Sequence, residues 1–175
     1  MKDKIINFIE NKKLFLTGIL IAIFFIVIDQ ITKILVFKRL AKLSRQTLGL
    51  HRHIQITPFF NLVKVWNKGV SFGMFNNLPF GKIILSLITL VIAIFVLYLL
   101  WKSKTKYSMI YLSLVIGGAI GNLIDRIRFG AVADFLDFHF AQYHWPAFNI
   151  ADSIVCIGVF MILIEELVKK KFDLK

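Results

Sequence analysis

The sequence predicts a mainly α-helical membrane protein, in which a four-transmembrane-helix bundle carries a small β-sheet at the membrane surface. Hydrophobic residues make up 58% of the 175 residues, charged residues make up 18%, and the mean hydropathy is +0.75. This composition is far more apolar than that of soluble domains. Four apolar stretches meet or approach the length of about 20 residues that a helix needs to cross the hydrocarbon core. The chain length fits a single domain, 1–175.

The four predicted spanning helices are defined by the residues that flank them. The first follows a basic tail and continues past signal-peptide length without a small-residue cleavage site, so we predict an uncleaved helix. The second ends at Trp101 and the basic turn KSKTK, which is typical of an interfacial anchor. The fourth ends at two glutamates that precede a lysine-rich tail. The predicted ranges are about 14–36, 83–101, 107–125 and 149–168.

The basic residues, which give a formal net charge of +12, are concentrated next to the helices. Eleven of the 22 lie in the N-terminal tail, the turn after Trp101 and the C-terminal tail. An even number of spans puts these three segments on one side of the membrane, and basic residues in short segments favour the cytoplasmic side. Residues 38–82 carry eight further basic residues, which weaken this orientation argument. The charge is assigned to the membrane surface, and no nucleic-acid partner is predicted.

The segment between the first two helices, about 44–80, is predicted to form the small sheet. Alternation of apolar and polar residues in HIQIT and NLVKV favours two short strands, and NKG at 67–69 is typical of a turn. A loop that packs its own aromatic residues is the alternative. His51 and His53 lie two apart on one strand, but no third ligand follows at an obvious spacing, so no metal site is predicted. The aromatic residues expected at the membrane interface are Phe59, Phe60, Trp66, Phe72 and Phe75.

Several polar and small residues within the helices have structural explanations. Asp29 and Lys33 lie four apart in the first helix, with the acid first, which favours an ion pair. Gly117 and Gly121 form a small-xxx-small pattern that favours close packing of a neighbouring helix, and their surroundings fit no phosphate-binding loop. The single cysteine, Cys156, excludes an intramolecular disulfide and a multi-thiolate zinc site. Its apolar surroundings predict a buried, inert thiol.

The fourth helix begins with an acid in an apolar stretch, where a charge is costly. Asn149 and Asp152 have the spacing of an N-cap residue and the third helical residue, where the helix dipole stabilises a carboxylate. A second acid, Asp134, lies in GAVADFLDFHF, which we interpret as a re-entrant or loop segment at the membrane surface. Asp137 follows it. Capping and solvation alone would explain these acids.

A catalytic interpretation requires two of these acids to face each other. If Asp134 and Asp152 share one water, both cannot ionise at low cost, so one keeps a proton while the other acts as a base. This is the arrangement of an aspartic peptidase, and the sequence leaves the proton unassigned. Asn122 and Arg126 lie four apart on one side of the third helix, with Asp125 beside Arg126. Helix closure and anchoring at the head groups would also explain these three residues.

Four motifs together resemble the bacterial lipoprotein signal peptidase family, also called signal peptidase II. They are DQITK at 29–33, NKGVSFG at 67–73, GGAIGNLIDRIRFGAVADF at 117–135 and FNIADS at 148–153. They occur in the family's order and in the expected relation to four helices, so the resemblance covers about residues 20–165. The departures, at Val70, Ser71 and Ala133, are mild and affect no charged position.

The resemblance implies a bacterial cytoplasmic-membrane enzyme with four spanning helices, both termini in the cytoplasm, and a small extracytoplasmic β-sheet cradle beside the active site. It implies that Asp134 and Asp152 are the catalytic pair of an aspartic endopeptidase. This enzyme removes the signal peptide of a prolipoprotein by cutting on the amino side of the diacylglyceryl-modified cysteine. The implied partners are these prolipoproteins, membrane lipids and peptide antibiotics of the globomycin type, and no metal or other cofactor is required. The residues implied to bind substrate or support the site are Asp29, Lys33, Asn67, Gly69, Asn122, Arg126 and Asn149.

Two other classes of protein make different predictions. A small transporter or channel would carry acids along the depth of the bundle, whereas the candidate acids here cluster at one end. A structural membrane protein whose acids only cap helices would tolerate asparagine at Asp134 or Asp152.

Overall fold

A computed structural model of the protein describes residues 2–46, 53–69 and 80–173. These residues form four helices and a small antiparallel sheet, which confirms the predicted mainly helical membrane fold. In chain order the elements are α1 (Lys2–Gln46), β1 (His53–Thr57), β2 (Phe60–Asn67), α2 (Gly81–Lys102), α3 (Lys106–Phe129), β3 (Val132–Phe140), β4 (Tyr143–His144) and α4 (Ile150–Asp173).

α3 is the central helix of the bundle and packs against each of the other three helices. Its glycines allow this close approach, because they place no side chain between the helices. A Cβ on Gly117 would lie 3.0 Å from the carbonyl oxygen of Ala22, and a Cβ on Gly121 would lie 2.8 Å from Asp29 Oδ2, both in α1. Gly118 leaves equally little room toward α4. The predicted packing role of Gly117 and Gly121 is therefore confirmed.

Within the part of the chain that the structure describes, three helices are long and apolar enough to cross a membrane: α2, α3 and the part of α1 at Glu10–Gln46. Their outer surfaces expose large apolar side chains such as Leu20 (67%) and Val91 (65%), as expected for a surface that contacts acyl chains. α4 is as long as α3, but acidic residues bound its apolar part at 153–164. Its composition alone therefore does not identify it as the fourth predicted span.

α1 is longer than the predicted range of 14–36. Residues 37–46 continue the helix because FKRLAKLSRQ contains neither proline nor glycine and is rich in good helix formers. The part of the predicted sheet segment at 44–46 therefore belongs to α1.

The sheet has the strand order β1-β2-β3-β4, with antiparallel neighbours. β1 and β2 fall on HIQIT and NLVKV, which confirms the two predicted strands. The interpretation of GAVADFLDFHF as a re-entrant or loop segment is wrong, because β3 pairs with β2 and brings Asp134 opposite Val65. Residues 132–135 of β3 are all buried, and VADFL at 132–136 has one polar residue, so this part of the strand shows no alternation of apolar and polar residues that would identify it.

A left-handed residue joins α3 to β3. Gly130 caps α3 with φ = 70°, and its N–H donates to the carbonyl oxygen of Arg126 at 2.9 Å. Glycine adopts this conformation at little cost, so the chain turns sharply after the helix and enters the strand two residues later. This turn brings Asp134 back against the end of α3.

The aromatic residues predicted at the interface have different surroundings. Phe59 is 55% exposed, whereas the Trp66 ring packs between Phe37 of α1 and Phe129 of α3, with ring centroids 5.1 and 5.2 Å away. Trp66 therefore attaches the sheet to the helical bundle. The predictions for His51, Phe72 and Phe75 lie outside the described residues.

Candidate active site

Buried polar side chains are concentrated where α1, α3, α4 and β3 meet. Charged groups are costly inside an apolar bundle, so each of them needs a partner. Each member of this group is at most 8% exposed: Asp29, Lys33, Asn122, Asp125, Asp134 and Asn149.

Lys33 connects α1 to α3. Its Nζ lies 2.8 Å from Asp29 Oδ2, 2.8 Å from Asp125 Oδ2 and 3.1 Å from Asn122 Oδ1. These three acceptors match the three donors of an ammonium group. The predicted ion pair between Asp29 and Lys33 is therefore confirmed, and Asp125 extends it.

The same two acids also accept backbone N–H groups next to the candidate catalytic residues. Asp29 Oδ1 accepts the N–H of Ala151 at 3.0 Å, in the first turn of α4. Asp125 Oδ2 accepts the N–H of Ala133 at 3.1 Å, one residue before Asp134. The Lys33 cluster thereby fixes the start of α4 and the start of β3 relative to α1 and α3.

Asp152 belongs to a capping box at the N-terminus of α4. Its N–H donates to Asn149 Oδ1 at 2.9 Å, and its own Oδ2 accepts the N–H of Asn149 at 3.1 Å. This confirms the N-cap spacing read from the sequence. Asn122 Nδ2 donates to Asp152 Oδ1 at 2.7 Å, so both carboxylate oxygens are held by donors.

Asp134 lies on β3 and is 1% exposed. Asn149 Nδ2 donates to its Oδ1 at 2.7 Å, and Asn67 Nδ2 donates to its Oδ2 at 3.1 Å. Burial, followed by the nearby charge of Asp152, raises the pKa of Asp134 to about 7, against the opposing effect of the two amide donors. This environment therefore favours the neutral form of Asp134.

The amide of Asn67 is oriented by its own turn. Gly69 N–H donates to Asn67 Oδ1 at 3.1 Å, which leaves the Nδ2 group to face Asp134. Asn67 and Gly69 of NKG therefore form an Asx turn, and this turn directs the Asn67 amide donor toward the carboxyl group of Asp134.

Asn149 contacts both candidate catalytic acids. Its side-chain amide donates to Asp134, and its backbone N–H donates to Asp152. Both acids line one cavity of about 790 Å³, together with Asn67, Gly69 and Arg126. Asp134 has a raised pKa, and Asp152 caps the N-terminus of α4. Two neighbouring carboxyl groups in such different surroundings fit the roles of general acid and general base.

The cavity has an apolar part between α2, α3 and α4, lined by Ile92, Val115, Ala119 and Val155. Cys156 also lines this cavity and is exposed, so the prediction of a buried thiol is wrong. Cys156 lies one helical turn after Asp152, and this face of α4 borders the cavity instead of another helix.

Two further sets of polar residues in the structure were not predicted from the sequence. Gln30 Nε2 lies 3.2 Å from Asp29 Oδ2, 3.1 Å from Asp125 Oδ1 and 3.2 Å from the Gly121 carbonyl oxygen, so it completes the polar cluster. Its position inside the DQITK motif is the sequence signal that could have identified Gln30. The second set, on β3 and β4, consists of three side chains whose nitrogen and oxygen ligand atoms lie within 4.8 Å of one another: Asp137, His139 and His144.

Comparisons with known proteins agree on one family. The model of the family described as signal peptidase (SPase) II matches residues 21–168. The lipoprotein signal peptidase of Anaplasma phagocytophilum (strain HZ) is 39% identical over 87% of this chain and 93% of that protein. The lipoprotein signal peptidase of Syntrophotalea carbinolica is 44% identical over 85% of this chain and 89% of its own length.

Solved structures of bacterial membrane enzymes have the same fold. One, determined by the in meso method at 2.3 Å resolution, has a TM-score of 0.71 and 33% identity and covers 91% of this chain and 92% of its own. A second, at 1.9 Å resolution, has a TM-score of 0.69 and 34% identity.

Proposed function

Because the chain belongs to the signal peptidase (SPase) II family, we propose that it is an aspartic endopeptidase that uses Asp134 and Asp152 to cut prolipoproteins. The family assignment makes it a bacterial membrane peptidase that removes signal peptides from prolipoproteins. The proposed cut is on the amino side of the diacylglyceryl-modified cysteine. The proposed active site lies near the extracytoplasmic face, with both termini in the cytoplasm.

The observation that carries the proposal is the link between the two acids through Asn149. One residue donates to both carboxyl groups, so they share a single hydrogen-bonded unit at the polar end of one cavity. Acids of an ion pathway would lie along the depth of the bundle. Within the described residues, the buried acids of the helices, Asp29 and Asp125, lie beside this unit instead.

In the proposed mechanism the two carboxyl groups hold one proton between them. The charged carboxylate removes a proton from water while the water oxygen bonds to the peptide carbonyl carbon, and the protonated carboxyl group donates its proton to the carbonyl oxygen. Collapse of the tetrahedral intermediate breaks the C–N bond. The proton taken from water passes to the leaving nitrogen, and the carbonyl re-forms as its hydroxyl proton returns to the dyad.

The environments of the two acids favour one distribution of the proton. Burial favours the neutral form of Asp134, which lies on a strand. The N-terminus of α4 and two donors favour the charged form of Asp152. We therefore assign the general acid to Asp134 and the general base to Asp152.

The other polar residues have positioning roles in this proposal. Asn67, Asn122 and Asn149 fix the carboxyl groups by donating to them. The buried cluster of Lys33, Asp29 and Asp125 holds the backbone that carries them. Arg126 lines the cavity, where a guanidinium can bind a polar group of the substrate.

The lipid on the substrate cysteine supports a location at the interface. Acyl chains remain in the apolar phase, so a diacylglyceryl anchor keeps the scissile bond near the membrane surface and lowers the entropic cost of meeting the dyad. In this proposal the apolar part of the cavity, between α2, α3 and α4, contacts the acyl chains. Globomycin-type peptide antibiotics would compete for the same cavity.

The proposal is tested by following conversion of a lipidated prolipoprotein on a gel with the purified protein. The wild type converts it, whereas Asp134→Asn and Asp152→Asn do not. Glu166→Gln, a carboxyl-to-amide change on an exposed residue at the far end of α4, serves as the matched control and retains conversion. Equal cleavage of the unlipidated precursor would contradict the lipid requirement, and turnover by either asparagine variant would contradict the dyad.

A further inference from the structure

The β3–β4 hairpin carries a second group of ligand-bearing side chains, away from the aspartate pair. His139 lies directly opposite His144 in the antiparallel register, so both side chains project from one face of the hairpin. Asp137 lies two residues before His139 and shares that face. Asp134 lies three residues before Asp137 and projects from the other face. The spacing Asp-x-His-x4-His therefore places three ligands together without using a catalytic residue.

The distances within this group approach those of a metal site. One ligand atom from each of the three residues lies within 4.8 Å of the other two, and Asp137 Oδ1 lies 2.8 Å from His144 Nδ1. Tetrahedral zinc with bonds of about 2.0–2.1 Å separates its ligand atoms by roughly 3.4 Å. Displacements of about an ångström would therefore close the three side chains around one ion.

Asn61 of β2 orients the carboxylate of Asp137. It is buried, and its Nδ2 donates to Asp137 Oδ2 at 3.1 Å, while Asp137 Oδ1 faces His144. The same Nδ2 lies 3.4 Å from His139 Nδ1, so one buried amide contacts two of the three ligands. The hydrogen bond to Asp137 is the contact that supports a metal site, because ligating carboxylates are typically held by hydrogen bonds of their own.

The more exposed histidine can reorient. The rings of His139 and His144 stack with centroids 4.9 Å apart and an interplanar angle of 15°. A shared ion must lie near the plane of each ring, so one ring has to leave this stack. The side chain of His144 is 52% exposed and can turn without repacking the sheet, whereas Asp137 is held in place.

From this geometry we propose that Asp137, His139 and His144 bind one Zn²⁺ ion on the hairpin, with a remaining position for water. Two imidazoles and one carboxylate suit zinc, whereas Mg²⁺ and Ca²⁺ prefer oxygen ligands. The ion crosslinks β4 to β3, the strand that carries Asp134. It takes no part in peptide hydrolysis, so the proposal stands apart from the proposed function.

The test is a titration of tag-free, full-length protein in detergent with Co²⁺, whose visible absorption reports its ligands. We expect one Co²⁺ per chain, displacement by Zn²⁺, and a Zn²⁺-dependent rise in the unfolding temperature. His139→Ala and His144→Ala should each weaken binding by at least about tenfold. His53→Ala, which removes an exposed histidine from β1, is the matched control and keeps full affinity.

Two results would overturn the metal site: no stoichiometric Co²⁺ binding by the wild type, or binding of unchanged affinity in the His144→Ala protein. Because His144 lies on the exposed two-residue strand β4, this variant is expected to fold, which circular dichroism checks. Binding that is lost in Asp152→Asn but retained in His144→Ala would place the ion at the dyad and would also refute the proposal.

Discussion

At the scale of single residues, the two central acids differ in how the fold accommodates them. Asp152 is stabilised as a charge by the capping box of α4, and Asp134 is driven toward its neutral form by burial on β3. Local spacing predicted the cap, because Asn149 and Asp152 are three residues apart. The donation from Asn149 to Asp134 joins α4 to a strand and depends on tertiary packing, so spacing could not reveal it.

Replacement of Asn149 separates its capping role from its role at the dyad. Asn149→Ala should lower the free energy of unfolding by about 1 kcal/mol through loss of the cap. Asn149→Ser restores the cap but not the amide that donates to Asp134, so it should recover stability without activity. Misplacement of a catalytic group by about 1 Å can cost about 100-fold in rate, so loss of the donor that orients Asp134 should lower kcat by about that factor. Thermal unfolding and prolipoprotein turnover measure the two effects, and a serine variant with wild-type turnover would contradict the assignment.

The raised pKa of Asp134 predicts how stability changes with pH. The pKa rises from 3.8 to about 7 on folding, so the folded state binds this proton more tightly than the unfolded state does. The stabilisation is fully present below pH 3.8 and is lost as the pH rises through about 7. Over this range the unfolding temperature of the wild type should therefore fall relative to that of Asp134→Asn. Identical slopes in the two proteins would contradict the shift.

At the scale of secondary-structure elements, the short connection between α3 and β3 determines where Asp134 lies. Alternation of apolar and polar residues predicted β1 and β2, because one face of each strand is more polar than the other. β3 was not predicted because its first four residues are all buried and its two aspartates suggested a solvated loop. The left-handed conformation of Gly130 lets β3 begin two residues after the end of α3's cap, and this turn was not predicted from the sequence.

Substitution of Gly130 tests this link. Gly130→Ala should lower the free energy of unfolding by about 1–2 kcal/mol, because its φ of 70° is unfavourable for a residue with a Cβ. Gly130→Asn is the matched control: asparagine adopts this conformation more readily, so it should lose less stability. Among the described residues, the nearest atom to a Cβ at Gly130 would be Lys82 Cδ at 3.6 Å, an ordinary van der Waals contact, so crowding does not account for a difference between the two variants. Equal losses for alanine and asparagine would contradict the backbone explanation.

At the scale of the whole molecule, hydrophobicity predicted the helices and the glycine pattern predicted close packing of α3, whereas the structure shows which helices it contacts. The predicted glycine pattern puts α3 against α1 and α4, and the buried Lys33 cluster then brings the start of α4 to the start of β3. The exposed thiol of Cys156 and the hairpin histidines escaped prediction, because cavity walls and strand register are set by packing.

The central claim, that Asp134 and Asp152 act as one catalytic unit, is tested most directly by the kinetics of Asp134→Asn, Asp152→Asn and the double variant on a lipidated prolipoprotein. Residues that act as a unit are strongly non-additive, so each single variant should lose at least about 10⁴-fold in kcat, and the double variant should lose little more. Losses that multiply in the double variant, or a single variant within about tenfold of the wild type, would contradict the account.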